Sequence, residues 1–403
     1  PPPPPPDGKE KEKEPATAKA AWPKDINGRT LTEYVRDATV DLDPAVRERA
    51  MRIIPNFGPE IVRKEAGWPK AVLARMEPTK ERDPGVRAAA YEAAGLVGFD
   101  KDLDTKEAIR ILFIAAEQGA TGGGARLHAI QTLAAFGSKA ETAITYLVGP
   151  AMSDVAYETR RSVAFTLGRI AHHEHAGPNP RALSALFKLT EDHSAPVRME
   201  AYQSLVLLGP PLLPRDPKAP AIKDLKLVSD IPKLDDKQIA GYVAVIKKRL
   251  SPAVTTPKGA EGPSPTGVVE RDKQVEIMAR LVLMKFDPKE VTDENLGGIS
   301  RYVKDKETGP KLQALNVLGL IGQPAAKRID DMVFALADDD PTVVVAGLTA
   351  IIQLGPACKA AIPNVERLRT RGMGKDEKEY WTKLVDQATK LMRESDKAAE
   401  KKP

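Results

Sequence analysis

Apolar residues recur along this chain with the spacing of a single helix face. In DPAVRERAMRIIPNFG, Asp43 to Gly58, positions 46, 50, 53, 54 and 57 fall at i, i+4, i+7, i+8 and i+11, the stripe a helix turns toward a core. The pattern returns in DPGVRAAAYEAAGLVG, Asp83 to Gly98. Both stretches open with an acidic N-cap followed by proline in the first turn. Both close on glycine, which tolerates the left-handed conformation that ends many helices.

Sliding this stretch along the chain places equivalents of Ala50 at Ala90, Ala129, Ala164, Ala201, Ala279, Ala314 and Gly347, spaced by 33 to 40 residues except for one interval of 78. Every one is Ala or Gly. The column of Ile54 reads Ala94, Leu133, Gly168, Leu205, Leu283, Leu318 and Ile351, and that of Phe57 reads Val97, Phe136, Ala171, Leu208, Phe286, Ile321 and Leu354. The helix-ending column holds Gly58, Gly98, Gly137, Gly209, Gly322 and Gly355. A second amphipathic stretch precedes each helix, as in LTEYVRDATV, KEAIRILFIAAEQ and RALSALFKLTED. Two helices per unit, repeated about eight times, predict an all-α chain folded as an α-solenoid (superhelix) of helical hairpins. One hairpin cannot bury its own stripe, so stacking supplies the core, with the tiny column where neighbours nest.

The helix pair, the D-P-x-V-R turn and the L-G ending resemble HEAT repeats (armadillo-like), and LGPACKAAIPNVERL resembles those of bacterial HEAT-repeat proteins. The resemblance spans residues 28 to 372 and is strongest around Asp43, Asp83, Arg198 and Asp340. It implies that the Asp and Arg of the turn bond to each other and to neighbouring repeats. On that basis Asp43, Arg47, Asp83, Arg87, Arg126, Arg161 and Arg198 are structural. It also implies that the second helices line a concave side.

Composition divides the rest of the chain. Residues 1–20, PPPPPPDGKEKEKEPATAKA, have nothing to bury and predict a disordered tether. Residues 21–209 form an N-terminal arm of about five repeats, 210–236 a Pro-rich linker, and 237–372 a C-terminal arm with a disordered loop at 251–268, read as a clamp over a bound partner. The linker is a place for the solenoid to bend or divide. Residues 373–396 form a capping helix with Tyr380, Trp381, Leu384, Val385, Ala388, Leu391 and Met392 on one face, before a disordered tail at 397–403. A chain starting on Pro1, with such a tether, suits an exported protein of the periplasm or cell envelope whose signal peptide has been removed; a cytoplasmic location is the alternative. The sequence sets no oligomeric state.

Charge and chemistry narrow the function classes. With 61 Lys and Arg against 56 Asp and Glu, and no basic block, specific nucleic-acid binding is not expected. A DNA glycosylase on such a fold would need a basic face with aromatics, and only Trp22, Trp68 and Trp381 are available as tryptophans. The single cysteine, Cys358, excludes a disulfide framework or a cysteine-ligated cluster. No apolar run approaches the ~18 residues of a membrane span, so no transmembrane segment is expected. His172, His173 and His175 in AHHEHAG form an exposed turn with donors for zinc, nickel or copper, but few other ligands accompany them. Deoxyhypusine hydroxylases hold two irons through His-Glu pairs on repeat helices; here the only such pair is His173-Glu174, and the comparable helix reads Val197-Arg198-Met199-Glu200. GATGGGAR, 119 to 126, lacks the Lys-Ser/Thr ending of a phosphate loop and reads as an inter-helix turn. No catalytic, cofactor or metal residue is assigned.

One surface remains. The column of Arg52 runs Glu92, Gln131, Thr166, Gln203, Leu281, Asn316 and Thr349, polar at all but Leu281 while its neighbours are apolar. Arg52, Glu92, Gln131, Thr166, Gln203, Asn316 and Thr349 are therefore the expected binding residues. The sequence predicts a non-enzymatic scaffold or adaptor for a protein or peptide. The alternatives are a metal-dependent or catalytic role for the 172–175 turn and a HEAT-like nucleic-acid binder.

Overall fold

The Asp-Pro starts are helix N-caps. Asp43 accepts the amide of Ala45 at 2.8 Å, and Asp83 accepts those of Gly85 and Val86 at 2.8 and 3.0 Å, satisfying donors that a first turn leaves open. A computed structural model describes residues 22–117, 125–173, 177–209, 236–250, 270–371 and 374–400. The expected tether, the glycine-rich 119–124 turn, the Pro-rich 210–235 linker and the 251–268 loop lie outside the described residues. The chain divides into two compact units, Pro1–Thr132 and Leu133–Pro403.

The first unit opens with a two-residue hairpin, β1 (Asp25–Ile26) against β2 (Arg29–Thr30). Asn27 and Gly28 turn it with φ of 53° and 72°, the paired positive angles such a tight turn demands. Helices α1 (Leu31–Val40), α2 (Pro44–Ile53), α3 (Pro59–Lys64), α4 (Trp68–Met76), α5 (Pro84–Val97), α6 (Asp102–Glu117) and α7 (Ala125–Leu133) follow. Thr30 and Glu33 close a capping box on α1. α1 pairs with α2 and α4 with α5, while α1 packs on α4 and α2 on α5. First helices thus stack on first helices and second on second, the one-dimensional packing of an α-solenoid.

The second unit repeats this arrangement. Its second helices are α9 (Tyr157–Ile170), α11 (Ala195–Leu208), α13 (Lys273–Phe286), α15 (Thr308–Ile321) and α17 (Pro341–Gln353), and each packs on the next. The first helices are α8 (Ile144–Leu147), α10 (Pro180–Leu189), α12 (Asp236–Leu250), α14 (Asp293–Ser300) and α16 (Ile329–Ala335), all but α12 shorter than the second helices. After α18 (Ile362–Glu366), α19 (Lys375–Glu400) buries Trp381, Val385, Ala388 and Met392 against the preceding elements. Tyr380 and Leu391 are about half exposed, so the buried face of this closing helix is narrower than the sequence pattern drew it.

The tiny column is the packing seam. Ala50, Ala90, Ala129, Ala201, Ala279, Ala314 and Gly347 are all buried. A Cβ on Gly347 would come within 3.0 Å of the Ala335 Cβ and 3.3 Å of the Met332 carbonyl. Ala164 is buried too, but its unit is read one residue out of register. Arg160, not Arg161, donates to the carbonyls of Asp154 and Val155, as Arg47 does to Asp41 and Leu42, so Val163 is the equivalent of Ala50. Arg161 is largely exposed. Gly58, Gly98, Gly137 and Gly322 end their helices at positive φ. Gly209 does not: its φ is −72°, and its missing side chain instead admits the Phe286 ring, 2.9 Å from where a Cβ would lie.

Candidate binding surface on the second helices

A recurrent ion-pair device holds the second helices in place. Arg47 clasps Glu81 through Nε and Nη2 at 2.8 and 2.9 Å. In the second unit Arg160 does the same to Asp192, at 2.6 and 3.0 Å, and Arg198 to Glu270, at 2.7 and 2.6 Å. Each guanidinium also donates Nη1 to two carbonyls of its own turn, for Arg198 those of Asp192 and His193. Each carboxylate in turn accepts the backbone N–H two residues on: Asp83 for Glu81, Ser194 for Asp192 and Asp272 for Glu270. Lys311 to Asp338 continues the series with an ammonium in place of the fork; on α13 the equivalent position is Glu276, and Asp305 is met instead by Lys273 from the first position of that helix.

The resemblance implied contacts between the Asp and Arg of the turn. The structure places the partner elsewhere, on the acid two residues before the next helix cap, while Asp43 and Asp83 spend their side chains on capping. A sequence signal existed, because Asp41, Glu81, Asp154, Asp192, Glu270, Asp305 and Asp338 each stand two positions before a cap. Burial opposes ionisation of Glu81, but hydrogen bonds from Arg47, the Asp83 amide and Arg75 outweigh it and hold the carboxyl below its ordinary value. Asp192 follows the same balance, with Arg160 and the Ser194 amide outweighing burial. Arg126 holds the carbonyl of Ala116 at 3.0 Å.

With the helices fixed this way, six of the seven expected binding residues are exposed: Arg52, Glu92 and Gln131 in the first unit, Gln203, Asn316 and Thr349 in the second. Arg52 reaches Glu92 on the neighbouring repeat at 3.7 Å, as well as Glu48 on its own helix at 2.8 Å. Thr166 is the exception. It is completely buried, because the one-residue register shift turns it toward the core and puts Phe165, with Arg169 stacked 3.4 Å from its ring centroid, at the outward position. Leu281 is also buried, because α11, α12, α14 and α15 all pack around α13. Burial on α13 likewise depresses Lys285 below the usual lysine range.

Sequence reasoning passed over an apolar component of the same face. One turn beyond Glu92, Gln203 and Asn316 stand Leu96, Leu207 and Leu320, exposed by 59%, 58% and 60%. These three leucines share one column, each left in water beside a polar group.

The histidine turn yields less. Residues 172–173 pair with 177–178 as a two-residue antiparallel ladder, β3 with β4; residues 174–176 lie outside the described residues. Among the described residues no cluster of three His, Cys, Asp or Glu has metal-ligand geometry, and no helix is long and apolar enough to cross a membrane.

No protein-family model matches the chain, and no curated protein matches it. Among solved structures it is similar to an engineered protein at 16% identity and a TM-score of 0.36, covering 90% of this chain and 98% of that one. It is also similar to Kap95 in its complex with Nup1 (13% identity, TM-score 0.45, covering 92% of this chain and 51% of that one) and to Kap121p bound to Pho4p (12%, 0.41, covering 91% and 38%). The chain thus spans about half or less of the length of those two.

Proposed function

We propose that this chain is a non-enzymatic scaffold of HEAT-like repeats that binds a protein or peptide along the outward faces of its second helices. The observation that carries the reading is the exposure, at the same helical position of the second helices, of one polar residue after another, joined on three of those helices by an exposed leucine one turn on: Glu92 with Leu96 in the first unit, and Gln203 with Leu207 and Asn316 with Leu320 in the second. A partner's segment would cover the leucines while the polar groups set its register. Within each unit the buried arginine forks join successive repeats and hold the faces of their second helices in place.

Site-specific photo-cross-linking in the native cell tests this. A photoreactive residue at position 203, 207 or 316 is expected to give the same polypeptide adduct, and one at the exposed Lys188 on the first-helix side of its repeat is not. Adducts that appear equally at Lys188, or none at any position on the second helices, would overturn the reading.

A further inference from the structure

A second site lies in the unit Leu133–Pro403, beneath the end of α12. Arg249, Arg280, Arg301, Glu270, Glu276 and Gly298 contribute to a cavity of about 460 Å³, within the roughly 300–1,000 Å³ span of small-ligand sites. Its two enclosed carboxylates are already committed. Glu276 receives Arg280 at 2.8 and 3.0 Å, Arg301 at 2.8 Å on each oxygen, and the Tyr302 hydroxyl at 2.5 Å. Glu270 receives the Arg198 fork and the Asp272 amide.

Arg249 is left over. Its side chain is only 11% exposed, its nearest acid is Glu270 at 3.9 Å, and it makes no hydrogen bond with the described residues. Its guanidinium therefore keeps hydrogen-bond donors open to an anion entering the cavity. Arg301 on the rim uses Nη2 alone, which leaves Nε and Nη1 to donate. Gly298 shapes the wall: a Cβ there would fall 2.4 Å from the Arg280 Cζ, so the bare backbone lets that guanidinium lie flat against α14 and keeps the space open.

We propose that this cavity binds a carboxylate, held by the planar forks of Arg249 and Arg301. Arg249, Arg280 and Arg301 line the cavity with Glu270, Glu276 and, at the edge, the exposed Glu294, and Arg198 adds a fourth cation from outside the lining by holding Glu270, so four cations meet three anions. The surplus of one positive charge suits a monoanion. A phosphate dianion would exceed it and be held close to two carboxylates. The volume admits a carboxylate with its carbon stem, and Leu250 offers that stem an apolar wall. A glutamate side chain of a peptide and a small free carboxylic acid share this chemistry. The site is independent of the second-helix face.

Calorimetric titration of the full chain at fixed ionic strength tests it, with acetyl-Gly-Glu-Gly-amide, butyrate and inorganic phosphate as probes. The peptide or butyrate is expected to bind, and whichever binds identifies the source. Arg249→Gln is expected to weaken that binding at least about tenfold, the loss typical of a charge-assisted hydrogen bond. Arg249→Lys should retain part of it, and Arg36→Gln, on the exposed surface of the first unit, all of it. If Arg249→Gln does not fold, Arg301→Gln takes its place. Unchanged affinity in the variant, binding of phosphate alone, or no binding of either carboxylate would overturn the proposal.

Discussion

Arg198 grips Glu270 through two parallel hydrogen bonds, of 2.7 and 2.6 Å, across 72 residues of chain. Arg160 grips Asp192 in the same way across 32. The doubled interval in the sequence therefore does not interrupt the link between successive repeats. α11 and α13 are neighbours, joined at the same point and by the same atoms as α9 and α11. The bond is inaccessible to competing water, since the two side chains are only 11% and 1% exposed.

Removing one side of this pair strands the other. Arg198→Ala is expected to destabilise the fold by about 3–5 kcal/mol, the range for breaking a buried ion pair. Urea denaturation followed by circular dichroism measures the loss. Hydrogen exchange should show α11 and α13 opening first. A double-mutant cycle with Glu270→Gln should return a large coupling energy.

The register of the fourth repeat is tested by two adjacent arginines. Arg160 is buried on Asp192, whereas Arg161 is mostly exposed and meets Glu200 at 3.4 Å. Arg160→Ala should cost several kcal/mol, and Arg161→Ala within about 1 kcal/mol, as exposed pairs do. Comparable melting temperatures for the two variants would contradict the assignment.

Ala201 and Gln203 lie two residues apart on opposite sides of α11. Ala201 is fully buried, so Ala201→Leu forces side-chain volume into the packed seam and should destabilise by about 1–3 kcal/mol or more. Gln203→Leu faces outward and should stay within about 0.5 kcal/mol. Paired denaturation curves separate the two.

Acid should unfold the chain through the inter-repeat carboxylates. Glu81 and Asp192 are held below their ordinary values of 4.5 and 3.8 despite burial, by the arginine forks and backbone amides bonded to them. A depressed folded value means the unfolded chain takes up protons first. The stabilisation is therefore complete above the unfolded values and drains away as pH falls through the folded ones. Melting temperature should hold from pH 7 to about 5 and drop below about 4. Glu81→Gln should start from a lower plateau and show a shallower acid decline.

How much of this was legible in advance differs from element to element. The N-cap of Asp83, the stripe from Val86 to Val97 and the positive φ of Gly98 are readable because each depends on residues within a turn or two of itself. Periodicity then exposed the hairpin repeat and its tiny seam, since a seam must be small wherever backbones approach. The outward position of Gln203 followed from the same arithmetic, but that of Thr166 did not: a one-residue error rotates a helix by ~100°, and only Arg160 bonded to Asp154 and Val155 fixes the register. The choice of Glu81 over Asp83 as partner to Arg47 left a trace in the sequence, an acid two positions before each cap, but the leftover Arg249 and the enclosure of Leu281 belong to tertiary structure alone. Local patterning decides which face of a helix is apolar. Which face is covered depends on neighbours a repeat or more away in the chain, whose identity no local pattern carries.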